Sequence, residues 1–253
     1  MLRNSCMSLI PICCGMTALA QPEPIQADRP DQTECAFTVP AGFFQFESGF
    51  AYERDREDVE TYTAPTVLWK YGINERIEAR LITEITSVDD ETGLLPITVG
   101  FKTKICEERG VLPTTAFIGH LTTSNAGSED FQTPYAAPAF RFTMQHTLSP
   151  KFNLGYNLGA EWDGVSALPV YIYTLTTGYS IAGKLGAYIE VYGFTSEETK
   201  PDHRLDGGIT YLLSDNTMAD LSGGTGISGE AGGYYVSVGL SCRFNLKKKK
   251  TSD

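Results

Sequence analysis

The chain has 253 residues, of which 42% are hydrophobic and 20% are charged, so it can bury a core and disorder is excluded as its main state. Its 31 acidic and 20 basic residues give a net charge of -11, which makes nucleic acid a poor partner because phosphate binding needs a basic surface. Beyond the first 20 residues there is no run of about 20 apolar residues, so a bundle of transmembrane helices is excluded as well.

The first 20 residues have the pattern of an export signal. Arg3 supplies a positive charge, residues 7–19 are largely apolar but interrupted by Pro11, and the Ala-Leu-Ala of residues 18–20 offers a cleavage site. We therefore predict that residues 1–20 are a cleaved signal peptide. A lipid anchor on one of the two adjacent cysteines in this stretch is a weaker alternative.

The next stretch, residues 21–40, is polar and rich in proline, and it lacks the alternation of a strand. We predict that it forms a periplasmic segment, which either plugs the domain that follows or lies at its entrance.

From residue 42 onward the chain shows apolar and polar residues in alternation, with no convincing window of helical spacing. In the first such stretch Phe44, Phe46 and Phe50 share one face, whereas Gln45 and Glu47 share the other, as successive side chains of a strand do. The same pattern predicts twelve strands, at residues 42–53, 61–71, 76–87, 95–106, 113–123, 137–148, 152–163, 169–180, 185–196, 204–213, 217–224 and 232–244.

The length of these strands and the order of the connections favour a membrane barrel. Most predicted strands have 10 to 12 residues, whereas strands of soluble proteins average about 5 or 6 and a tilted strand needs about 9 to 11 to cross a bilayer. Short turns alternate with longer loops, as in outer-membrane barrels. We predict an all-β fold for residues 41–245, a closed antiparallel transmembrane barrel of about twelve strands in an up-and-down meander, with both termini at the short-turn end. A soluble β-sandwich or jelly roll is the alternative.

Several stretches resemble a known family. They are residues 28–34, 37–40, 69–73, 77–78, 100–102, 112–113, 206–213, 220–222 and 238–240. Together they are similar to the outer-membrane transporters named for the MetA pathway of phenol degradation, with residues 28–34 and 206–213 as the most specific blocks. The resemblance implies an outer-membrane barrel that acts as a transporter, and it does not identify the solute. Cys35 is a departure, because serine is expected there.

The polar face of the predicted strands would point into the barrel and line its lumen. The candidate lumen-lining residues are Glu47, Lys70, Glu78, Arg80, Glu84, Lys102, Arg141, Glu161, Glu190, Tyr192, Asp206 and Asp220. Charged rings inside a pore set its preference for ions and solutes. The alternative is that these side chains only pair with one another across neighbouring strands and help to fill a narrow barrel.

Three cysteines remain after the signal peptide, namely Cys35, Cys106 and Cys242. An odd number leaves at least one thiol unpaired within the chain. Cys35 and Cys106 would both lie at the periplasmic end, so a disulfide between them is a candidate in that oxidising compartment.

The sequence offers no catalytic or metal-binding motif. Neither G-x-S-x-G nor H-E-x-x-H is present, and the three histidines, His120, His146 and His203, lack the spacing of a ligand pair. We expect neither an enzyme nor a cofactor.

The sequence thus predicts an exported, porin-like barrel of the Gram-negative outer membrane that passes a small solute, for which an aromatic or apolar molecule is one option. The expected partners are membrane lipid and lipopolysaccharide, and the oligomeric state is left open. The alternatives are a structural or adhesive barrel that acts through acidic outer loops, and a barrel enzyme that acts on lipid. The Lys-rich tail, residues 246–253, is expected to be a solvated extension.

Overall fold

The computed structural model describes residues 23–89, 91–228 and 232–246. The predicted signal peptide and nearly all of the Lys-rich tail lie outside these ranges. The strands are β1 (Phe43–Arg54), β2 (Glu60–Gly72), β3 (Ile77–Val88), β4 (Glu91–Leu94), β5 (Thr98–Cys106), β6 (Thr114–Thr122), β7 (Ala137–Ser149), β8 (Phe152–Glu161), β9 (Val170–Ala182), β10 (Leu185–Thr195), β11 (Asp202–Ser214), β12 (Thr217–Gly226) and β13 (Tyr234–Asn245). A single 3₁₀ turn, Glu129–Phe131, is the one helical element of the described residues.

The sheet closes on itself as an antiparallel barrel. Each long strand pairs with its sequence neighbours, and β1 pairs with β13 along its whole length, from Phe43 opposite Asn245 to Arg54 opposite Tyr234. The predicted twelve-stranded meander is therefore confirmed, with every predicted boundary within three residues of the observed one. Closure matters because it leaves no long strand with an unpaired edge.

One short strand was not predicted. β4 pairs only with the end of β3, from Val88 opposite Glu91 to Ile85 opposite Leu94. The sequence places a loop here because four residues that include a Glu and a Gly carry no recognisable alternation. β4 therefore lies on the side of β3 that β5 occupies nearer the short-turn end, and it is not a thirteenth strand of the barrel.

The alternation along each strand separates a polar interior from an apolar exterior. On β13, Val236 and Val238 are 47% and 50% exposed, whereas Ser237 and Ser241 between and beyond them are buried. The same alternation of exposed apolar and buried polar side chains recurs on the other long strands. An apolar surface around a closed barrel is what a hydrocarbon environment requires.

Two bands of aromatic side chains mark the limits of this apolar surface. Phe44 packs on Trp69 near one end, with ring centroids 6.0 Å apart, and Tyr52 packs on Tyr62 near the other end at 5.0 Å. Phe44 and Tyr52 are eight residues apart on β1, which is about 26 Å along the strand. For a strand tilted by about 40°, this is about 20 Å along the barrel axis, somewhat less than the apolar band of roughly 25 Å between the aromatic girdles of membrane barrels.

The two ends of the barrel differ. The short-turn end carries both termini of the barrel and tight connections such as the one between Ser149 and Phe152, whereas the long-loop end carries the connection from Thr122 to Ala137. We call them the short-turn end and the long-loop end. No helix of the described residues is long and apolar enough to cross a membrane, a finding that does not bear on strands.

Candidate functional site in the barrel lumen

The predicted lumen-lining residues are buried or half-buried on the inner face of the wall. Glu47, Lys70, Glu78, Arg80, Lys102, Glu190, Tyr192, Asp206 and Asp220 are all at most 4% exposed, and Glu84, Arg141 and Glu161 are half-buried. Their burial has one main cause. The chain before β1, residues 23–42, lies inside the barrel against these side chains, and we call it the N-terminal segment. Contact with a passing solute therefore remains a prediction for each of the twelve residues.

The N-terminal segment is fixed to the wall at its first residues. The backbone N–H of Ile25 donates to Asp215 O at 2.8 Å, in the turn between β11 and β12. The guanidinium of Arg243 donates to Glu23 O at 2.7 Å. These contacts hold the start of the described chain at the short-turn end, from which the segment runs into the lumen.

Asp28 is the centre of the largest polar cluster. Its Oδ2 accepts hydrogen bonds from Lys70 Nζ and Arg80 Nη2, both at 2.9 Å, and its Oδ1 accepts one from Lys102 Nζ at 2.8 Å. Burial alone would raise the pKa of this carboxyl, but the charges of Lys102, Lys70 and Arg80 outweigh it and hold the pKa well below its usual range. Asp28 is therefore ionised at every physiological pH, and three wall cations converge on it.

In the same cluster, backbone N–H groups of the segment donate hydrogen bonds to carboxylates of the wall. Glu47 Oε2 accepts the backbone N–H of Asp28 at 2.8 Å, and Glu78 Oε2 accepts the backbone N–H of Val39 at 2.7 Å. Lys70 also pairs with Glu47, and Arg80 pairs with Glu34 of the segment. We call Asp28, Glu34, Glu47, Lys70, Glu78, Arg80 and Lys102 the Asp28 cluster. Buried charges persist only when paired and hydrogen-bonded in this way.

Arg29 anchors the segment to the opposite part of the wall. Its Nη2 lies 2.9 Å from Asp220 Oδ1 on β12 and donates to Ser237 Oγ at 2.8 Å on β13. The guanidinium lies directly over Gly49 and Gly239, where any Cβ would overlap it. These two glycines are paired across β1 and β13, so the absence of side chains creates the space that Arg29 occupies.

Residues 31–34 contact a third part of the wall. The backbone N–H of Gln32 donates to Glu190 Oε2 at 2.7 Å, and the backbone N–H of Glu34 donates to Asn157 Oδ1 at 2.7 Å. The Thr33 hydroxyl bonds both Thr174, at 2.6 Å, and Glu190. Burial, and then the negative charge of Glu190, raise the pKa of Asp31 well above its usual value. Unlike Asp28, Asp31 faces acidic neighbours.

Two cavities lie on either side of Arg29, Pro30 and Asp31. One, of about 600 Å³, is at the short-turn end and reaches the turns at Lys151 and Lys184. The other, of about 560 Å³, is at the long-loop end and is lined by strand-terminal residues such as Glu53 and Arg204. Both are lined by residues 29–31. These three residues therefore stand between a space that faces one end of the barrel and a space that faces the other.

The cysteines lie in different surroundings. Cys35, Cys106 and Cys242 are free thiols in the structure, and a disulfide between Cys35 and Cys106 stays a prediction. Cys35 lies in the lumen, 3.8 Å from Lys102 Nζ, whereas the Cys106 thiol lies at the β5–β6 turn and donates to Pro113 O at 3.5 Å.

The histidines are dispersed. His146 lies on the outer face, where its Nε2 is 3.3 Å from Tyr156 Oη and its Nδ1 is 3.8 Å from Glu108. His203 Nδ1 bonds Tyr173 Oη. His120 points into the barrel and lines a third cavity. Within the ranges described, no group of three or more His, Cys, Asp or Glu side chains is placed to hold a metal ion.

Sequence reasoning identified the wall residues but missed their partners in the segment, namely Asp28, Arg29, Thr33 and Glu34, as well as the glycine pair under Arg29. A signal was present, because residues 28–34 carry four charges directly before the first strand. Such a charged stretch pairs well with charges that the alternation places inside a barrel.

A sequence model of the family described as "Putative MetA-pathway of phenol degradation" matches residues 27–244. No curated protein sequence matches the chain. Among solved structures, the COG4313 outer membrane channel from Pseudomonas putida F1 is 10% identical, with a TM-score of 0.65 over 83% of this chain and 98% of that one. The NanC porin is 8% identical, with a TM-score of 0.54 over 79% and 98%. The KdgM porin is 8% identical, with a TM-score of 0.53 over 79% and 99%. At these identities the likeness extends to the fold alone.

Proposed function

Because the chain belongs to the family named for the MetA pathway of phenol degradation, we propose that it is an outer-membrane channel for a small solute and that its N-terminal segment is the plug. The observation that carries the proposal is the position of Arg29, Pro30 and Asp31 between the two lumen cavities. A solute that passes from one cavity to the other has to cross these residues. Movement of the segment is therefore the step that opens the channel.

The orientation follows from the two ends of the barrel. Outer-membrane barrels have short turns in the periplasm and longer loops outside the cell, so the short-turn end is periplasmic here. The N-terminal segment enters from that side, as expected for a chain delivered through the periplasm. Lipid surrounds the apolar exterior, and lipopolysaccharide surrounds its outer half.

The chemistry of the wall indicates that the plug can be displaced and is not a permanent part of the core. The segment is held by ion pairs and hydrogen bonds to Lys70, Arg80, Lys102, Glu190 and Asp220. Water can replace such contacts when a segment leaves, whereas an apolar core exposed to water would lose its main stabilising free energy. Displacement of the plug in this way requires no chemical step and no cofactor.

The location and the passage of solutes can be tested separately. Membrane fractionation and a gel run with and without boiling should show an outer-membrane protein with a heat-shifted band. Liposomes that carry the refolded chain should then swell in a graded series of uncharged sugars, and faster when residues 23–36 are deleted. A soluble protein without a heat shift would overturn the channel. A shifted band with no swelling in either form would leave a barrel without transport.

An adhesive barrel is the second candidate. Residues 55–58, in the first long loop, are all exposed, and Asp55, Glu57 and Asp58 are acidic. A barrel that stays closed in every variant, but binds cells or matrix through this loop, would favour that function.

A further inference from the structure

The wall holds the plug through two sites of opposite charge. The carboxylate of Asp28 accepts hydrogen bonds from three cations on β2, β3 and β5, whereas the guanidinium of Arg29 pairs with Asp220 on β12 and donates to Ser237 on β13. We call the first the carboxylate site and the second the guanidinium site. The carboxylate site consists of Lys70, Arg80 and Lys102. Two neighbouring residues of the plug therefore bring opposite charges to different parts of the wall.

One residue of each site depends on the plug for its counter-charge. Lys70 and Arg80 each have a wall carboxylate as a further ion-pair partner. Within the described ranges, however, Lys102 Nζ bonds only to atoms of the plug, and the only basic side chain that pairs with Asp220 is Arg29. Both wall side chains are fully buried. When the plug leaves, water compensates for the lost charges only partly, whereas a solute of matching charge restores both pairs.

The charge of the wall differs between the two sites. At the carboxylate site, three basic side chains face two wall carboxylates, those of Glu47 and Glu78, which leaves one positive charge in excess. On the strands beside the guanidinium site, Glu190 and Asp206 lie opposite each other, and no ion pair of the described residues joins either of them to a basic side chain. The wall alone therefore attracts a carboxylate on one side and a cationic group on the other.

The two sites are close enough for one small molecule to occupy both. Asp28 and Arg29 are consecutive residues, whose Cα atoms are about 3.8 Å apart, and their side chains span the distance between the sites. A chloride or potassium ion can fill only one of the sites, and a neutral solute fills neither. A molecule with a carboxylate and a guanidinium at opposite ends fills both and leaves neither Lys102 nor Asp220 unpaired.

From this geometry we infer that the carboxylate and guanidinium sites together bind the solute of the channel, and that the solute is a small zwitterion with a carboxylate at one end and a guanidinium at the other, as in a short peptide. The side chains of Asp28 and Arg29 occupy the place of this solute when the plug is docked. A ligand that binds only the undocked state stabilises that state, so the solute opens the channel by exchange with the plug. The inference rests on the proposed function, because it names the class of solute that the channel accepts.

The sites can be tested with acetyl-aspartyl-arginine amide as the probe, which carries the two charges at the spacing that they have in the plug. Calorimetric titration of the full chain, refolded into lipid nanodiscs, should show saturable binding. Two matched peptides each lack one charge, namely acetyl-asparaginyl-arginine amide and acetyl-aspartyl-citrulline amide. Each should bind about tenfold more weakly, because one charge-assisted set of hydrogen bonds is lost.

Variants of the wall show whether each charge of the peptide binds where the geometry places it. In Lys102→Met, the preference for the aspartyl over the asparaginyl peptide should largely disappear. In Asp220→Asn, the preference for arginine over citrulline should largely disappear. Departure of the plug changes the apparent affinity of both peptides of a pair by the same factor, so these ratios report on the sites. Lys151→Met, in an exposed turn, is the control and should keep both preferences. Unchanged ratios in Lys102→Met and Asp220→Asn would overturn the inference.

A second measurement changes only the ligand and covers the case in which Lys102→Met does not fold. In the unsubstituted chain, the zwitterionic peptide should accelerate alkylation of Cys35 by a maleimide saturably, because Cys35 leaves the lumen with the plug. The two single-charge peptides should do so far less at the same concentration. Equal acceleration by all three peptides, or binding without acceleration, would overturn the inference.

Failure of the sites and failure of the channel give different results, because binding in nanodiscs is measured without a gradient. Liposomes that swell in uncharged sugars, together with nanodiscs that do not bind the peptide, would contradict the zwitterion site alone. Peptide binding without any swelling would contradict the channel.

Discussion

Arg29 of the N-terminal segment and Asp220 of β12 form an ion pair of 2.9 Å across the lumen, and the Asp220 side chain is fully buried. The pair lies beside the three residues that separate the two main cavities. We regard it as the latch of the plug, because no other segment residue spans from that position to β12 among the contacts described.

Asp220→Asn should weaken the latch. Breaking a buried ion pair by removing one partner costs about 3–5 kcal/mol, and this cost falls on the docked plug because an undocked Arg29 is hydrated. We expect more frequent opening in single-channel records. Asp130→Asn, in an exposed part of a long loop, is the control and should behave as the unsubstituted chain. Equal opening of both variants contradicts the latch.

Gly239→Ala should open the channel without a change of charge. The added methyl overlaps the Arg29 guanidinium, which has to leave its place between Asp220 and Ser237. Gly223→Ala, on the same sheet, is the control because its methyl meets no atom of Arg29; its nearest neighbour is the carbonyl oxygen of Tyr235, a tight contact at 3.1 Å. If Gly239→Ala and Asp220→Asn disrupt the same latch, their effects on opening should not add in the double variant. Additive effects would point to separate causes.

Acidification from pH 7 to about 4 should favour the docked plug. The pKa of Asp31 is raised on docking, first by burial and then by Glu190, with Asp206 adding to it, so its proton is bound more tightly in the docked state and docking strengthens as pH falls. Asp28 and Glu34 oppose this only at lower pH, because their docked pKa values are depressed, that of Glu34 to about 2. Asp28 and Glu34 stabilise the docked plug fully while the pH is above the pKa values of free Asp and Glu, about 3.9 and 4.3, and this stabilisation is lost as the pH falls below them.

Conductance should therefore fall between pH 7 and pH 4 and rise again near pH 2 to 3. Asp31→Asn should abolish the first change and keep the second. A fall of the same size in Asp31→Asn would mean that other groups, of which Glu190 and Asp206 are the nearest, govern the response.

Cys35 should report on docking by its reactivity. Burial, followed by the negative charge of Asp28, raises the pKa of this thiol to about 12, and the thiolate is the reactive form. We expect slow alkylation by a maleimide in the unsubstituted chain and faster alkylation in Asp220→Asn. Peptide mapping measures it, with Cys106 and Cys242 as references in the same sample. A rate at Cys35 that is indifferent to the latch would show that the segment does not move.

The barrel was predictable from sequence because period-two alternation is a local signal that repeats on every long strand. It placed Glu190 and Asp206 on the inner face, and the register pairs them directly. The role of Asp28 was not predictable in the same way. Its partners, Lys70, Arg80 and Lys102, are 42, 52 and 74 residues away, and no periodicity links an irregular segment to the strands that surround it.

The surroundings of the two cysteines were not predictable for a related reason. Both cysteines were placed at one end of the barrel, but position along the axis does not say whether a side chain faces the lumen. Likewise, β4 is too short to show alternation, and its pairing with β3 depends on the hairpin geometry alone.

The most direct test of the plugged channel is single-channel conductance in planar bilayers, for the full chain and for a variant that lacks residues 23–36. That deletion removes Asp28, Arg29 and Glu34 but leaves every strand intact. A heat-shifted band would first establish that the shortened barrel is closed. We predict that the full chain shows rare openings and the deletion variant a steady, larger conductance. A folded deletion variant as silent as the full chain would contradict the account.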